Sequence, residues 1–116
     1  MDNILTMQRY LPDEIVERII DFKTVKDTRE ERDKRWTEYC VANEIVKRRQ
    51  EQITFHDDIL DSDAYLELTQ DMQTEVCELL RTNIEETLAK SIDAQRRLLV
   101  WIDAKIDYDA ALLKVA

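Results

Sequence analysis

The chain has 116 residues, no glycine, one proline and a formal net charge of -9. That length fits one domain with a modest core, and with so few turn-forming residues sheet folds and Gly-dependent nucleotide sites are excluded. The charge is localised: residues 1–49 hold 11 acidic and 11 basic side chains, residues 81–116 hold 6 of each, and residues 50–80 hold 9 acidic side chains and no Lys or Arg. Such a distribution argues against a reader of phosphate backbones and for a basic partner, or for a basic stretch of the same fold. No apolar run approaches the ~20 residues of a membrane span, and the first ten residues lack the layout of a signal peptide. The sequence therefore reads as soluble and intracellular.

Residues 1–10 contain Ile4, Leu5, Met7 and Tyr10 without a start or stop signal, and read as a short arm that packs on a neighbour. Leu11, Pro12 and Asp13 open the first long helix. Proline suits a helix start because its missing N–H would be unbonded there, and Asp13, Glu14 and Glu17 complement the positive end of the helix dipole. Ile15, Ile19, Phe22 and Val25 begin a stripe, Arg29 and Arg32 continue it in polar form, and Trp36, Tyr39, Cys40, Val46 and Ile53 resume it. The spacing predicts a helix from about residue 13 to about residue 52. Whether it frays in residues 23–35, where 10 of 13 side chains are ionisable, stays open. That interval reads as a solvated face laced with i,i+4 pairs, Glu30 with Lys34 and Glu31 with Arg35, or as a basic contact face of Arg29, Arg32 and Arg35.

Thr54, Phe55, His56 and the aspartates beyond them read as an acidic connection over residues 53–63, with Thr54, Ser62 and Asp63 as successive helix caps. A second helix follows through Leu66, Met72, Val76 and Leu79. Thr82 with Glu85, or Asn83 with Glu86, resembles a capping box, yet Val76, Leu80, Ile84 and Leu88 keep helical phase across it, so a bend and one unbroken helix both remain open. Over residues 84–113, Leu88, Ile92, Leu99, Ile102, Ile106 and Leu113 recur at helical spacing opposite a charged face, and something equally long must cover that stripe. The fold class expected is all-α: a long antiparallel helical hairpin or a three-helix, coiled-coil-like bundle, dimeric, forming a single domain.

Asp57, Asp58 and Asp61 spell the DDxxD pattern that binds magnesium diphosphate in isoprenoid synthases. Those enzymes need a second acidic motif and a deep apolar cavity, so the pattern reads here as an acidic loop or helix start. With Asp63 it forms the expected contact for a basic partner. His56, the only histidine, has no nucleophile at a recognisable spacing and reads as a loop residue. Cys40 and Cys77 read as reduced, half-buried packing residues, too few with one histidine for a zinc site. Trp36, Tyr39, Trp101 and Tyr108 read as core or interface packing. No catalytic residue, cofactor or metal is expected, and the chain reads as a protein-interaction module, with an Asp-rich metal enzyme as the remote alternative.

Two stretches resemble one family. Leu11, Pro12, Glu14 and Ile15, followed by Ile19, Phe22, Val25 and Arg29, resemble the LPxEL helix start of the N-terminal domain of inhibitor of growth (ING) proteins. Leu98, Ile102, Asp103, Ala104, Ile106 and Tyr108 resemble that domain's last helix. The similarity covers about half of the chain. An arginine and an aspartate of the family pattern are displaced at Arg18 and Asp27, the aromatic at Tyr108 is one place out, and the histone-reading plant homeodomain finger is missing. The resemblance implies a dimerisation module from a nuclear histone acetyltransferase or deacetylase complex. Leu11, Pro12, Glu14, Ile15 and Ile19 with Lys34, Arg35 and Trp36 also look like an F-box, which has apolar residues where this chain has residues 26–31 charged or polar. The third reading is a helical assembly protein unrelated to either.

The interface expected from these stripes is Ile15, Ile19, Phe22 and Trp36 with Leu99, Ile102, Ile106 and Leu113. Its partner is a second copy of the chain. Antiparallel pairing is favoured because the heptad signature of a parallel dimer is missing.

Overall fold

The computed structural model describes residues 2–116, with side chains from Leu5 onward; Met1 and the side chain of Ile4, both in the expected arm, lie outside them. Among the described residues every regular element is a helix: α1 (Asp2–Tyr10), α2 (Asp13–Leu60), α3 (Asp63–Leu66) and α4 (Gln70–Val115). The expected arm is therefore helical. The backbone leaves α1 with Leu11 N–H donating to the Met7 carbonyl at 2.9 Å, and Ile15 and Val16 N–H both donate to the Pro12 carbonyl at 3.1 Å. Pro12 thus starts α2 at the place where its own missing donor is not needed.

α2 does not end at residue 52. Thr54 donates its hydroxyl to the Gln50 carbonyl at 3.1 Å, as a serine or threonine inside a helix does, instead of capping a new one. Phe55, His56, Asp57 and Asp58 lie within α2, and the connection shrinks to residues 61–69 around the single turn of α3. Nor does α2 fray between residues 23 and 35. Ser62 is the cap of α3: it accepts from Tyr65 N–H at 3.4 Å and donates its hydroxyl to the Ile59 carbonyl at 2.6 Å. Thr69 accepts from Met72 N–H at 3.3 Å and starts α4, and Gln73 reaches back to the Tyr65 carbonyl at 3.0 Å. No described residue has positive φ, so the reversal is made in right-handed turns and requires no glycine. The choice left open at residues 82–86 falls to the unbroken helix, with the Asn83 carbonyl taken by the Thr87 hydroxyl at 2.7 Å.

Two compact units divide the chain: the described residues up to Thr37 with Leu99–Ala116, and Glu38–Leu98. In the first, α2 and α4 run antiparallel, with the Trp36 ring centroid 4.8 Å from that of Trp101 and the Arg32 guanidinium 4.3 Å from the Tyr108 ring centroid. Val16, Val25, Ala104 and Ala111 are its buried apolar residues. In the second unit the pairing is again antiparallel, set by Arg49 to Glu86 at 2.8 Å and Arg97 to Glu38 at 3.9 Å. Ala42, Val46 and Ala94 form its cluster of buried apolar residues.

Only valine and alanine are buried among the described apolar side chains. A pair of helices encloses one line of residues between them, and small side chains let the backbones close in. The buried line on α4 is Thr87, Ala94, Ala104 and Ala111, flanked by the half-buried Leu98, Trp101 and Tyr108. It is not the aliphatic stripe of Leu88, Ile92, Leu99, Ile102, Ile106 and Leu113, every member of which is exposed. Cys40 and Cys77 are likewise exposed free thiols and not half-buried packing residues.

Candidate interaction surfaces

In the first unit Phe22, Trp36, Leu99 and Ile102, four of the eight residues expected at an interface, fall on one side of the helix pair. A helix turns 100° per residue, so in an antiparallel pair the positions that directly follow the seam point to the same side on both helices. Phe22 follows the half-buried Asp21 and Trp36 follows the half-buried Arg35; Ile15 and Ile19 are spaced seven and three residues before Phe22 but directly precede the buried Val16 and the half-buried Ile20. On α4, Ile102 follows the half-buried Trp101, and Leu99, Ile106 and Leu113 share its stripe. The resulting face is apolar and open to water, with Ile15 47 % exposed, Phe22 54 %, Leu99 62 % and Ile106 59 %.

The charged interval interrupts this face on α2, with the exposed Arg29 seven residues from both Phe22 and Trp36, and much of it is paired inside the unit. Arg32 and Arg29 lie over the Tyr108 ring at 4.3 and 5.7 Å, Arg32 also pairs with Asp33 at 3.1 Å, and Arg35 with Glu31 at 2.7 Å. A guanidinium over an aromatic face covers the ring while remaining hydrated at its edge. Arg29, Arg32 and Arg35 thus form much of the polar seam and no open basic face.

In the second unit, Asp57 and Asp58 occupy the last turns of α2, Asp61 follows its end and Asp63 opens α3. The DDxxD triplet therefore sits at a helix C-terminus, where the dipole is unfavourable to carboxylates and the last turn holds no basic residue to offset it. Among the described residues no group of three or more His, Cys, Asp or Glu side chains is placed to hold a metal ion. His56 is a half-buried helix residue, its Nδ1 enclosed without a hydrogen-bond partner and its ring edge-on to Phe55 at 6.2 Å. Tyr65 Oη lies 3.3 Å from Cys77 Sγ, a hydrogen bond that holds the phenol above its ordinary pKa.

A groove of about 310 Å³ opens in this unit where Ser91 and Ala94 are too small to fill the space against Val46, rimmed by Asn43, Lys47, Gln50 and Gln95. The opposite side carries a patch that joins Met72 and Leu79, of the stripe expected for the second helix, to Phe55 of the expected connection. Phe55 directly precedes the half-buried His56, and Met72 and Leu79 directly precede the half-buried Gln73 and Leu80. By the same rotation these three share one side, and they are 64 %, 51 % and 57 % exposed. The signal lay in the phase: each sits one residue off the seam.

Among the described residues no helix is long and apolar enough to cross a membrane. Compared with protein-family models, with curated proteins and with solved structures, the chain matches none. What defines it is its own geometry, two long helices paired antiparallel within each unit.

Proposed function

We propose that this chain is a non-catalytic assembly module that pairs with a second copy through the open face of its first unit. Leu99, Ile102, Ile106 and Leu113 form the centre of that contact, with Ile15, Ile19, Phe22 and Trp36 beside them. The observation that supports this reading is the balance of burial. Among the described residues seven apolar side chains are buried while twenty-two large ones are exposed. Monomeric soluble proteins rarely leave contiguous apolar patches beyond a few hundred Å², and each large aliphatic side chain moved from water into a contact contributes about 1.5–3 kcal/mol when fully buried. Association covers this surface at no structural cost, because the face is made of straight helices already formed.

Light scattering tests the proposal. A mass above 13.9 kDa at tens of micromolar, brought down to 13.9 kDa by Ile102→Asp, is the expected result. A wild-type chain that stays at 13.9 kDa overturns it. An oligomer indifferent to Ile102→Asp moves the seam elsewhere.

The parent assembly is a finer question, and the helix that starts directly after Leu11 and Pro12 favours the resemblance to ING N-terminal domains. On that reading the chain is a nuclear subunit of a histone acetyltransferase or deacetylase complex. Affinity purification from the native cell separates it from the alternatives. Chromatin-modifying subunits support it, a cullin adaptor favours the F-box likeness, and neither leaves the unrelated assembly protein.

A further inference from the structure

We infer that the Phe55, Met72 and Leu79 patch of the second unit is a docking site for a basic amphipathic helix of another protein. This surface is separate from the self-association face and does not depend on it.

Three observations carry the inference. The first is the shared side of the three apolar residues, each more than half exposed and drawn from both α2 and α4. An amphipathic helix laid on such a pair meets anchors at intervals suited to its own i, i+3 and i+4 positions. The second is the rim. Glu75 directly precedes the half-buried Val76 and so shares that side, while Glu51, Asp71 and Glu78 lie one position further out on the backs of the same helices. Residues 50–80 hold no Lys or Arg to neutralise them. A peptide with leucines on one face and lysines at its edges matches this arrangement, apolar centre against apolar centre and positive rim against negative rim.

The third observation selects the occupant. A second copy of the chain is the obvious rival, but residues 1–49 and 81–116 each hold equal numbers of acidic and basic side chains, and in the short basic run of Lys47, Arg48 and Arg49 two of the three charges are paired within the chain, Arg48 with Glu44 and Arg49 with Glu86. Pairing two of these ends would set nine acidic side chains against nine more. The balancing charge has to come from a different protein. Phe55 lies edge-on to the half-buried His56, with ring centroids 6.2 Å apart.

The test uses the full chain and a fluorescently labelled, helical 14-residue peptide of alternating leucine and lysine faces, read by anisotropy. The expected result is saturable binding that weakens when salt is raised from about 50 to about 200 mM and weakens about tenfold or more with Phe55→Ser or Leu79→Ser. Ile102→Asp, in the first unit, leaves binding unchanged and so separates this site from self-association. Circular dichroism confirms that the variants keep their helix, and Met72→Ser replaces any that does not. The inference is overturned if the peptide does not bind, if oligolysine of equal charge binds as well, if the serine variants bind like the wild type, or if Ile102→Asp abolishes binding.

Discussion

Trp36 and Trp101 meet with ring centroids 4.8 Å apart and planes inclined at 52°. The two indoles come from opposite strands of one antiparallel helix pair, so their contact fixes how far α4 slides along α2 within the first unit. Tilted aromatic pairs gain about 0.5–1.5 kcal/mol beyond the area they bury. Trp36 is 44 % exposed, so its partner Trp101 carries more of the packing.

Replacing Trp101 by alanine should therefore destabilise the fold by about 2–3 kcal/mol, below the ~3–5 kcal/mol of a fully buried aromatic. Trp36→Ala should cost less. Denaturant titration of both single variants and the double variant should give a coupling of about 0.5–1.5 kcal/mol. A coupling near zero would mean that the rings are neighbours without fixing the register.

A second expectation concerns Arg32, whose guanidinium lies 4.3 Å from the Tyr108 centroid and 3.1 Å from Asp33. The flat cation covers the ring in a way that an ammonium cannot. Arg32→Lys should lose about 0.5–1 kcal/mol, and Tyr108→Leu should remove the difference between arginine and lysine at position 32. Thermal unfolding of the four chains measures both. An unchanged lysine penalty in the Tyr108→Leu background would assign Arg32 to Asp33 alone.

The sequence exposed some of this architecture and hid the rest for identifiable reasons. Pro12 and Asp13 mark the start of α2 because proline has few other places to go in an all-helical chain. Its far end is masked because Thr54, Asp57 and Asp58 are residues that cap helices, yet Thr54 turns its hydroxyl back to the Gln50 carbonyl and the helix runs on to Leu60. The long periodic stripe on α4 was visible, but periodicity does not say which of two adjacent stripes faces the chain's own partner helix. Thr87, Ala94, Ala104 and Ala111 take the inside because close helix packing selects small side chains, and the larger Leu99, Ile102 and Ile106 are left outside. Phe55 falls in a segment that reads as a turn, where exposure calls for no explanation.

Tyr65 provides a prediction in pH. Its hydrogen bond to Cys77, 3.3 Å away, together with desolvation and the neighbouring thiol, raises its pKa above the ordinary 10.0. A raised acid holds its proton longer in the folded state than in the unfolded one. The bond's stabilising effect is thus fully present below the ordinary phenol value and is lost as pH rises from there through the raised one. Phenolate absorbance, taken as the difference between wild type and Tyr65→Phe, should show this tyrosine ionising late, and Cys77→Ala should bring it earlier. Identical titrations in the two backgrounds would remove Cys77 as the cause.

Ala94 gives the most direct test of the small-residue seam. It is 5 % exposed and clusters with Ala42 and Val46, where α2 and α4 approach in the second unit. A leucine there adds three carbons to a line with no room for them on the Val46 side, while the groove next to it, of about 310 Å³ and bordered by Ser91, lies open. Overpacking of a filled position costs about 1–3 kcal/mol, and the open groove offers the new side chain a partial escape, so Ala94→Leu should fall at the lower end of that range. Ala104→Leu, buried in the first unit and not among the residues that line this groove, should fall at the upper end. Urea unfolding compares the two. If Ala94→Leu were the more damaging, the groove would be too rigid to admit an aliphatic chain, and the closeness of the helices at Val46 would be set by more than the size of residue 94.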